Sequence, residues 1–217
     1  MPCQSRPLRH PDAKLAGVDA RGDAMESGTG ALPRIVDAIA FAAHAHRMQR
    51  RKDADGMQCI DHSVTLVRIL AVEAGILEAD VLCAAALHDY LEDCCGRDGQ
   101  PTLEQGRAQL RRRFGEHVLA LAEAVTGDRS LPEAERKRLQ VEHAPHLPAG
   151  AKLITLADMI ASLRDLVECP PADWPLSRRA AYFDWAAQVA AGLRGTHARL
   201  EALFDQVHAL HPGQVMA

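Results

Sequence analysis

Between Leu32 and Leu210 apolar residues recur every three or four positions, in blocks separated by short polar, proline- or glycine-bearing stretches. Ile35, Val36, Ile39, Ala40, Ala42 and Ala43 set a first helix running to about Met48. After a turn through Asp55-Gly56, Val64, Leu66, Val67, Ile69 and Leu70 give a second helix its apolar face, with Asp61 as the expected N-cap and Gly75 as the stop. The third block differs in kind. Val81 to Leu87 is continuously apolar and rich in alanine and leucine, which predicts a buried helix beginning at about Glu78 or Asp80 and running to Asp93. Its last turns then carry His88, Asp89, Glu92 and Asp93.

The remaining blocks are helical too. Thr102 with Gln105 matches a capping box and opens a helix ending near Phe114-Gly115. Short helices follow over about 116–125 and 132–144, the second with Pro132 at a favoured first position. A longer one over about 149–167 has Leu153, Ile154, Leu156, Ala157, Ile160, Ala161, Leu163 and Leu166 on its apolar face, with Asp158 embedded in that run. Pro170-Pro171 and Pro175 break the chain before a last helical region from about 176 to 210, bent at Gly192 or Gly195. With no hairpin and no internal repeat, the expected fold class is all-α.

Composition agrees with packed helices: of 217 residues 47% are hydrophobic, yet only 4% are aromatic. One domain over 31–210 is expected, with 1–30 as an N-terminal extension lacking periodicity and 211–217 as a tail. The formal charge of -4 gives no electrostatic ground for nucleic acid or membrane binding. No apolar run reaches the roughly 20 residues that span a bilayer. Six cysteines without Cys-x-x-Cys spacing read as reduced thiols, with Cys83 in the core, and the expected location is cytoplasmic. Homo-oligomerisation is left open.

An apolar helix that ends in one imidazole and three carboxylates places costly groups beside a core, where charge persists only when paired or bound to a cation. His62, His88, Asp89 and Asp158, from three helices, are the candidate ligands. Two imidazoles and two carboxylates suit Mn2+, Fe2+ or Zn2+ better than Mg2+ or Ca2+. On an unbroken helix His88 and Asp89 diverge by about 100°, and Glu92 and Asp93 lie about 6 Å further along the axis, within reach of a water beside the ion. Spacing alone leaves this reading level with one in which the same residues are hydrogen-bonded polar groups.

These residues also resemble a known family. His62, the His88-Asp89 doublet and Asp158 have the layout of the HD phosphohydrolase superfamily. The segments Phe41 to Asp53, Ile60 to His62, Ala86 to Asp93, Phe114-Gly115, Val125-Thr126, Ala151 to Asp158 and Leu163 to Leu166 are similar to the ordered motifs of RelA/SpoT-type hydrolase domains. Glu135 to His146 and Tyr182 to Val189 resemble the stand-alone small alarmone hydrolases of the metazoan SpoT-homologue type. The resemblance implies an HD-domain helical bundle that uses one divalent ion, usually Mn2+, to remove the 3′-pyrophosphate of guanosine 3′,5′-bis(diphosphate), ppGpp, or of a related alarmone. It implies His62, His88, Asp89 and Asp158 as metal ligands and Glu92 and Asp93 as the pair that handles the attacking water. Arg51 and Lys52 become the basic pair beside the nucleotide, with Arg178 and Tyr182 as substrate contacts from the last helical region. No strand-rich synthetase segment is seen, so hydrolysis without synthesis is expected.

Two departures stand out. Ser162, counted with the substrate contacts, occupies the position, four residues after Asp158, where the family has Asn, which keeps another nucleotide phosphate in view, such as the 2′-phosphate of NADPH or an adenosine alarmone. A nucleotide-binding module without catalysis is the third reading, which the intact Glu92-Asp93 pair opposes. The loop from Cys94 to Pro101 is long and reads as a tolerated insertion. His143 and His146 read as surface histidines, His46 as a support for the site, and Trp174 and Trp185 as packing for the terminal helices.

Overall fold

The structure is a computed structural model describing residues 30–47, 49, 59–97 and 99–213. Among these residues every regular element is helical. In chain order they are α1 (Ala31–His46), α2 (Cys59–Arg68) continued by a π-helical turn (Ile69–Ala74), α3 (Ala79–Leu87), α4 (Tyr90–Asp93), α5 (Leu103–Phe114), α6 (Glu116–Val125), α7 (Glu133–His143), a short 3-10 turn (Ala144–His146), α8 (Ala149–Glu168), α9 (Leu176–Ala191) and α10 (Ala198–His208). The expected extension and tail, like Arg51 and Lys52, lie outside the described residues save for Gly30 and 211–213.

The bundle is organised around α3. Every residue from Val81 to Leu87 is buried, because a helix apolar on all sides leaves no face for water. α1, α2, α6 and α8 surround it. Alanine makes that possible: Ala38 and Ala42 on α1, Ala84 and Ala85 on α3, and Ala157 and Ala161 on α8 have no exposure. Small side chains let helix axes approach closely, while Leu66, Leu87, Leu119, Ile154 and Ile160 fill the gaps. Each such leucine or isoleucine contributes about 1.5–3 kcal/mol by leaving water.

Several boundaries differ from expectation, each for a local reason. Asp61 lies inside the first turn of α2, which starts at Cys59, so it is not the N-cap. Gly75 stops the second helix as expected, at φ 79°, after that helix has widened into the π-helical turn. Pro132 is the N-cap of α7 rather than its first residue. The final helical region is broken, not bent: α9 ends before Gly192, and His197 caps α10 by accepting from the Leu200 N–H at 3.3 Å. The capping box at Thr102 and Gln105 is formed. The difference that matters most is at the core helix, which does not run unbroken to Asp93. It ends at Leu87, and His88 and Asp89 form a turn before α4.

Candidate active site

The turn at His88-Asp89 removes the obstacle that a regular helix poses. Asp89 adopts φ -90°, ψ -4°, in the bridge region where the chain tightens and side chains of neighbours are re-aimed. The two side chains therefore converge, with His88 Nε2 3.0 Å from Asp89 Oδ2. His62 arrives from the first turn of α2, its ring centroid 5.4 Å from that of His88. The candidate ligand atoms of His62, His88 and Asp89 all lie within 4.8 Å of one another. Asp158, from the middle of α8, joins through His62, with its Oδ1 2.9 Å from His62 Nε2. Three of the four candidate ligands thus form one group, and the fourth, Asp158, stands against it at His62.

The donor set suits a divalent cation. His88 Nδ1 faces the Ala85 carbonyl at 3.0 Å; donating its proton there leaves Nε2 as the ligating nitrogen, the arrangement seen in metal-bound imidazoles. His62 Nδ1 has the Asp165 carboxylate 3.7 Å away, a partner that sequence reasoning missed. Asp165 follows Asp158 by two helical turns on the same face of α8, a signal that was present in the spacing. Burial opposes a charged His88, but the adjacent Asp89 carboxylate outweighs it and pushes the imidazole up to about 9. Burial likewise works against the Asp89 and Asp158 carboxylates, yet His88 holds the first, and His62 the second, below the usual carboxylate range. Buried imidazoles and acids at this density attract positive charge, whether protons or a metal ion.

Glu92 and Asp93 follow on α4, one turn beyond the cluster. Arg129 holds them: its Nε donates to Glu92 Oε1 at 3.0 Å and its Nη2 donates to Asp93 Oδ1. The Gly127 N–H donates to Glu92 Oε2 at 3.1 Å. Arg129 and Gly127, on the loop between α6 and α7, were not singled out from sequence, where one arginine in a polar loop carries no distinguishing pattern. Behind the pair, Gln49 Nε2 donates to the Asp93 carbonyl at 2.9 Å, and Gln49 Oε1 is 2.8 Å from Nδ1 of buried His46. His46 thus reaches the pair through Gln49. The Cys94–Pro101 loop is tied to the same carbonyl by Gln100 Nε2 at 3.4 Å, and the Gly96 N–H donates to the Pro101 carbonyl.

Glu92 also lines a cavity of about 380 Å³ with Lys137, Trp174, Arg178, Tyr182 and Trp185. Tyr182 is central, with ring centroids 5.9 Å from Trp174 and 5.0 Å from Trp185. The Arg178 guanidinium lies 4.2 Å over Trp174, and Lys137 Nζ lies about 5 Å from both the Tyr182 and Trp185 rings. Arg178 and Tyr182 are therefore brought to the cavity that Glu92 lines, and the two tryptophans line it too rather than only packing helices. Ser162 is not a wall of it; its hydroxyl donates to Asp158 Oδ1 at 3.4 Å. His143 and His146 are exposed.

Residues 38–182 match the HD domain family. The chain belongs to that family. This HD-domain chain is 47% identical over 174 residues to guanosine-3′,5′-bis(diphosphate) 3′-pyrophosphohydrolase MESH1 of Mus musculus, covering 80% of this chain and 92% of the relative. Its identity to the MESH1 of Homo sapiens is 48% over 168 residues, with 77% and 89% covered. A solved structure, described as a metazoan ortholog of SpoT that hydrolyzes ppGpp and plays a role in starvation responses, superposes with a TM-score of 0.74 at 40% identity, covering 82% of this chain and 94% of that one. The expected all-α HD-domain bundle and the family resemblance both hold.

Proposed function

We propose that this HD-domain chain is a metal-dependent hydrolase of guanosine-3′,5′-bis(diphosphate) that removes the 3′-pyrophosphate. The observation that carries the reading is the meeting of an imidazole–carboxylate cluster with a fixed Glu92-Asp93 pair beside an aromatic and cationic cavity. Relatives bearing that activity in their names are matched along nearly their whole length.

His62, His88, Asp89 and Asp158 would hold one divalent ion, Mn2+ in this reading, with Fe2+ and Zn2+ compatible with the same donors. Such an ion eases loss of a proton from water and offsets charge that grows on phosphoryl oxygens. Glu92 and Asp93 orient the attacking water and accept its proton. Water oxygen bonds to the phosphorus attached to the 3′ oxygen, which leaves with a proton as the nucleotide 3′-hydroxyl, and pyrophosphate departs. Tyr182, Trp174 and Trp185 offer faces for a base, while Arg178, with Arg51 and Lys52 from outside the described residues, pairs with phosphate. Ser162 acts from behind, through Asp158.

In organisation we read 31–210 as one domain, with 1–30 as an extension and 211–217 as a tail. We place the protein in the cytoplasm with a small-molecule nucleotide as its partner. Among the described residues no helix is long and apolar enough to cross a membrane, and Cys83, Cys94 and Cys95 are buried thiols.

Incubating the purified protein with Mn2+ and ppGpp should release GDP and pyrophosphate in equal amounts. Absence of release across a range of Mn2+ concentrations defeats the assignment. A second reading, hydrolysis of the NADPH 2′-phosphate, is favoured by Ser162, whose hydroxyl turns back to Asp158 and is not a wall of the aromatic cavity. Parallel turnover of NADPH and ppGpp separates the two, and a large preference for ppGpp dismisses the second.

A further inference from the structure

Glu92 and Asp93 are consecutive carboxylates, and neighbouring like charges repel unless a cation stands between them. Arg129 is that cation, bonded to Glu92 Oε1 through Nε and to Asp93 Oδ1 through Nη2. The same loop supplies the Gly127 N–H to the second Glu92 oxygen, so one segment restrains three of the four carboxylate oxygens. The approach is close: a Cβ at Gly127 would come 3.2 Å from Glu92 Oε2, so the carboxylate would have to shift. The loop is itself braced. Asp128 Oδ1 accepts from the Ser130 N–H and hydroxyl at 2.9 and 2.7 Å, and the Thr126 hydroxyl donates to the Ala122 carbonyl at 2.7 Å.

Placement decides what Arg129 does. Glu92 and Gly127 line both the aromatic cavity and a second cavity of about 570 Å³ on which the Cys94–Pro101 loop also borders. Arg129 lines only the second. Its guanidinium therefore holds the two carboxylates without forming part of the aromatic cavity's wall.

We propose that Arg129 is a positioning residue whose guanidinium, together with the Gly127 N–H, fixes Glu92 and Asp93 in the orientation in which they handle the attacking water. What the pair does rests on the pyrophosphohydrolase reading above; the clamp itself rests on the loop. A planar guanidinium bonded to two acids removes side-chain rotation that either acid alone would keep.

The test combines kinetics with a readout that needs no substrate. In R129A, kcat for ppGpp should fall about 10- to 100-fold with KM changed by less than about threefold, since small misplacement of a reacting group costs on that order. R129K should recover part of the loss. In an E92A background, R129A should add little, because residues that act as a unit are not additive. A raised KM with unchanged kcat, unchanged kinetics altogether, or losses that multiply in the double variant would each overturn the proposal. By NMR the Arg129 Nε–H should exchange slowly with solvent, and quickly in E92A. Protection in a protein that leaves ppGpp and related nucleotides intact would sink the substrate reading and keep the clamp; equal exchange in wild type and E92A would sink the clamp.

Discussion

Two regions meet at Glu92 and are built in opposite ways. The imidazole–carboxylate cluster is positioned from inside the core: His62 and His88 are 7% and 6% exposed, and Leu66, Leu87 and Ala157 on the helices that position the cluster are 0% exposed. The neighbouring cavity is positioned from the outside. α7, which supplies Lys137, has no buried residue, and the cavity's cations rest on the faces of Trp174, Tyr182 and Trp185 rather than in the interior. Packing at crystal-like density sets the cluster to within fractions of an ångström. Exposed side chains on aromatic faces adapt to what enters. Under the function proposed above, the groups that react are therefore the more buried ones, and the groups that recognise the nucleotide are the more exposed ones.

The largest effect should come from the rigid side. Asp89→Asn removes a carboxylate that His88 holds ionised at the heart of the cluster. An ion-dependent step draws several kcal/mol from the charge held there, so ppGpp turnover should fall by about three orders of magnitude or more. Calorimetric titration of the variant with Mn2+ should show lost or much weakened binding. Retention of Mn2+ binding and of activity within about tenfold would separate the cluster from the ion and break the comparison.

The loose side should respond differently. Tyr182→Ala removes the central ring of the cavity; base–aromatic stacking amounts to about 1–3 kcal/mol, so KM for ppGpp should rise by about 5- to 150-fold. kcat should change by no more than a few-fold, since the cluster and the Glu92-Asp93 pair are untouched. A fall in kcat with KM unchanged would make the cavity part of the chemistry rather than of recognition.

The same division explains what the sequence made legible. Val81 to Leu87 announced a buried helix, and His88-Asp89 with Glu92-Asp93 announced polar groups beside a core, because burial writes periodic patterns. The break after Leu87 was not legible: alanine and leucine favour helix up to His88, and the turn is imposed by tertiary contacts. Asp165 was available in the spacing of α8 and was passed over. Arg129 and Gly127 left no trace, since a loop joining α6 to α7 acquires its partners only when α4 is folded against it. Trp174 and Trp185 carry the pattern of aromatic residues that pack helix ends; their place at a cavity depends on how α7 meets α9, which no local pattern encodes.

The smallest effect probes how the rigid side is supported. Glu73, in the π-helical turn that extends α2, accepts from Arg164 of α8 at 2.8 Å on each oxygen, with Arg68 adding a third bond at 2.7 Å. This pair ties together the two elements that carry His62 and Asp158. The Arg164 hydrogen bonds hold the Glu73 carboxyl below its ordinary range, against burial, with Arg68 assisting. A depressed folded-state value means the contribution is present above the unfolded value of about 4.3 and is lost as pH falls through the lower folded value. Glu73→Gln should therefore lower stability by about 1.5–3 kcal/mol at neutral pH, the scale of hydrogen bonds to charged groups. Thermal melts at a series of pH values should show the gap between wild type and variant closing as the medium becomes more acidic than that unfolded value. kcat should stay within about twofold, because core packing around α3 holds the cluster without this tie. A variant as stable as wild type at neutral pH, or one whose kcat collapses while it stays folded, would show the ion pair to be either idle or a direct support of the catalytic geometry.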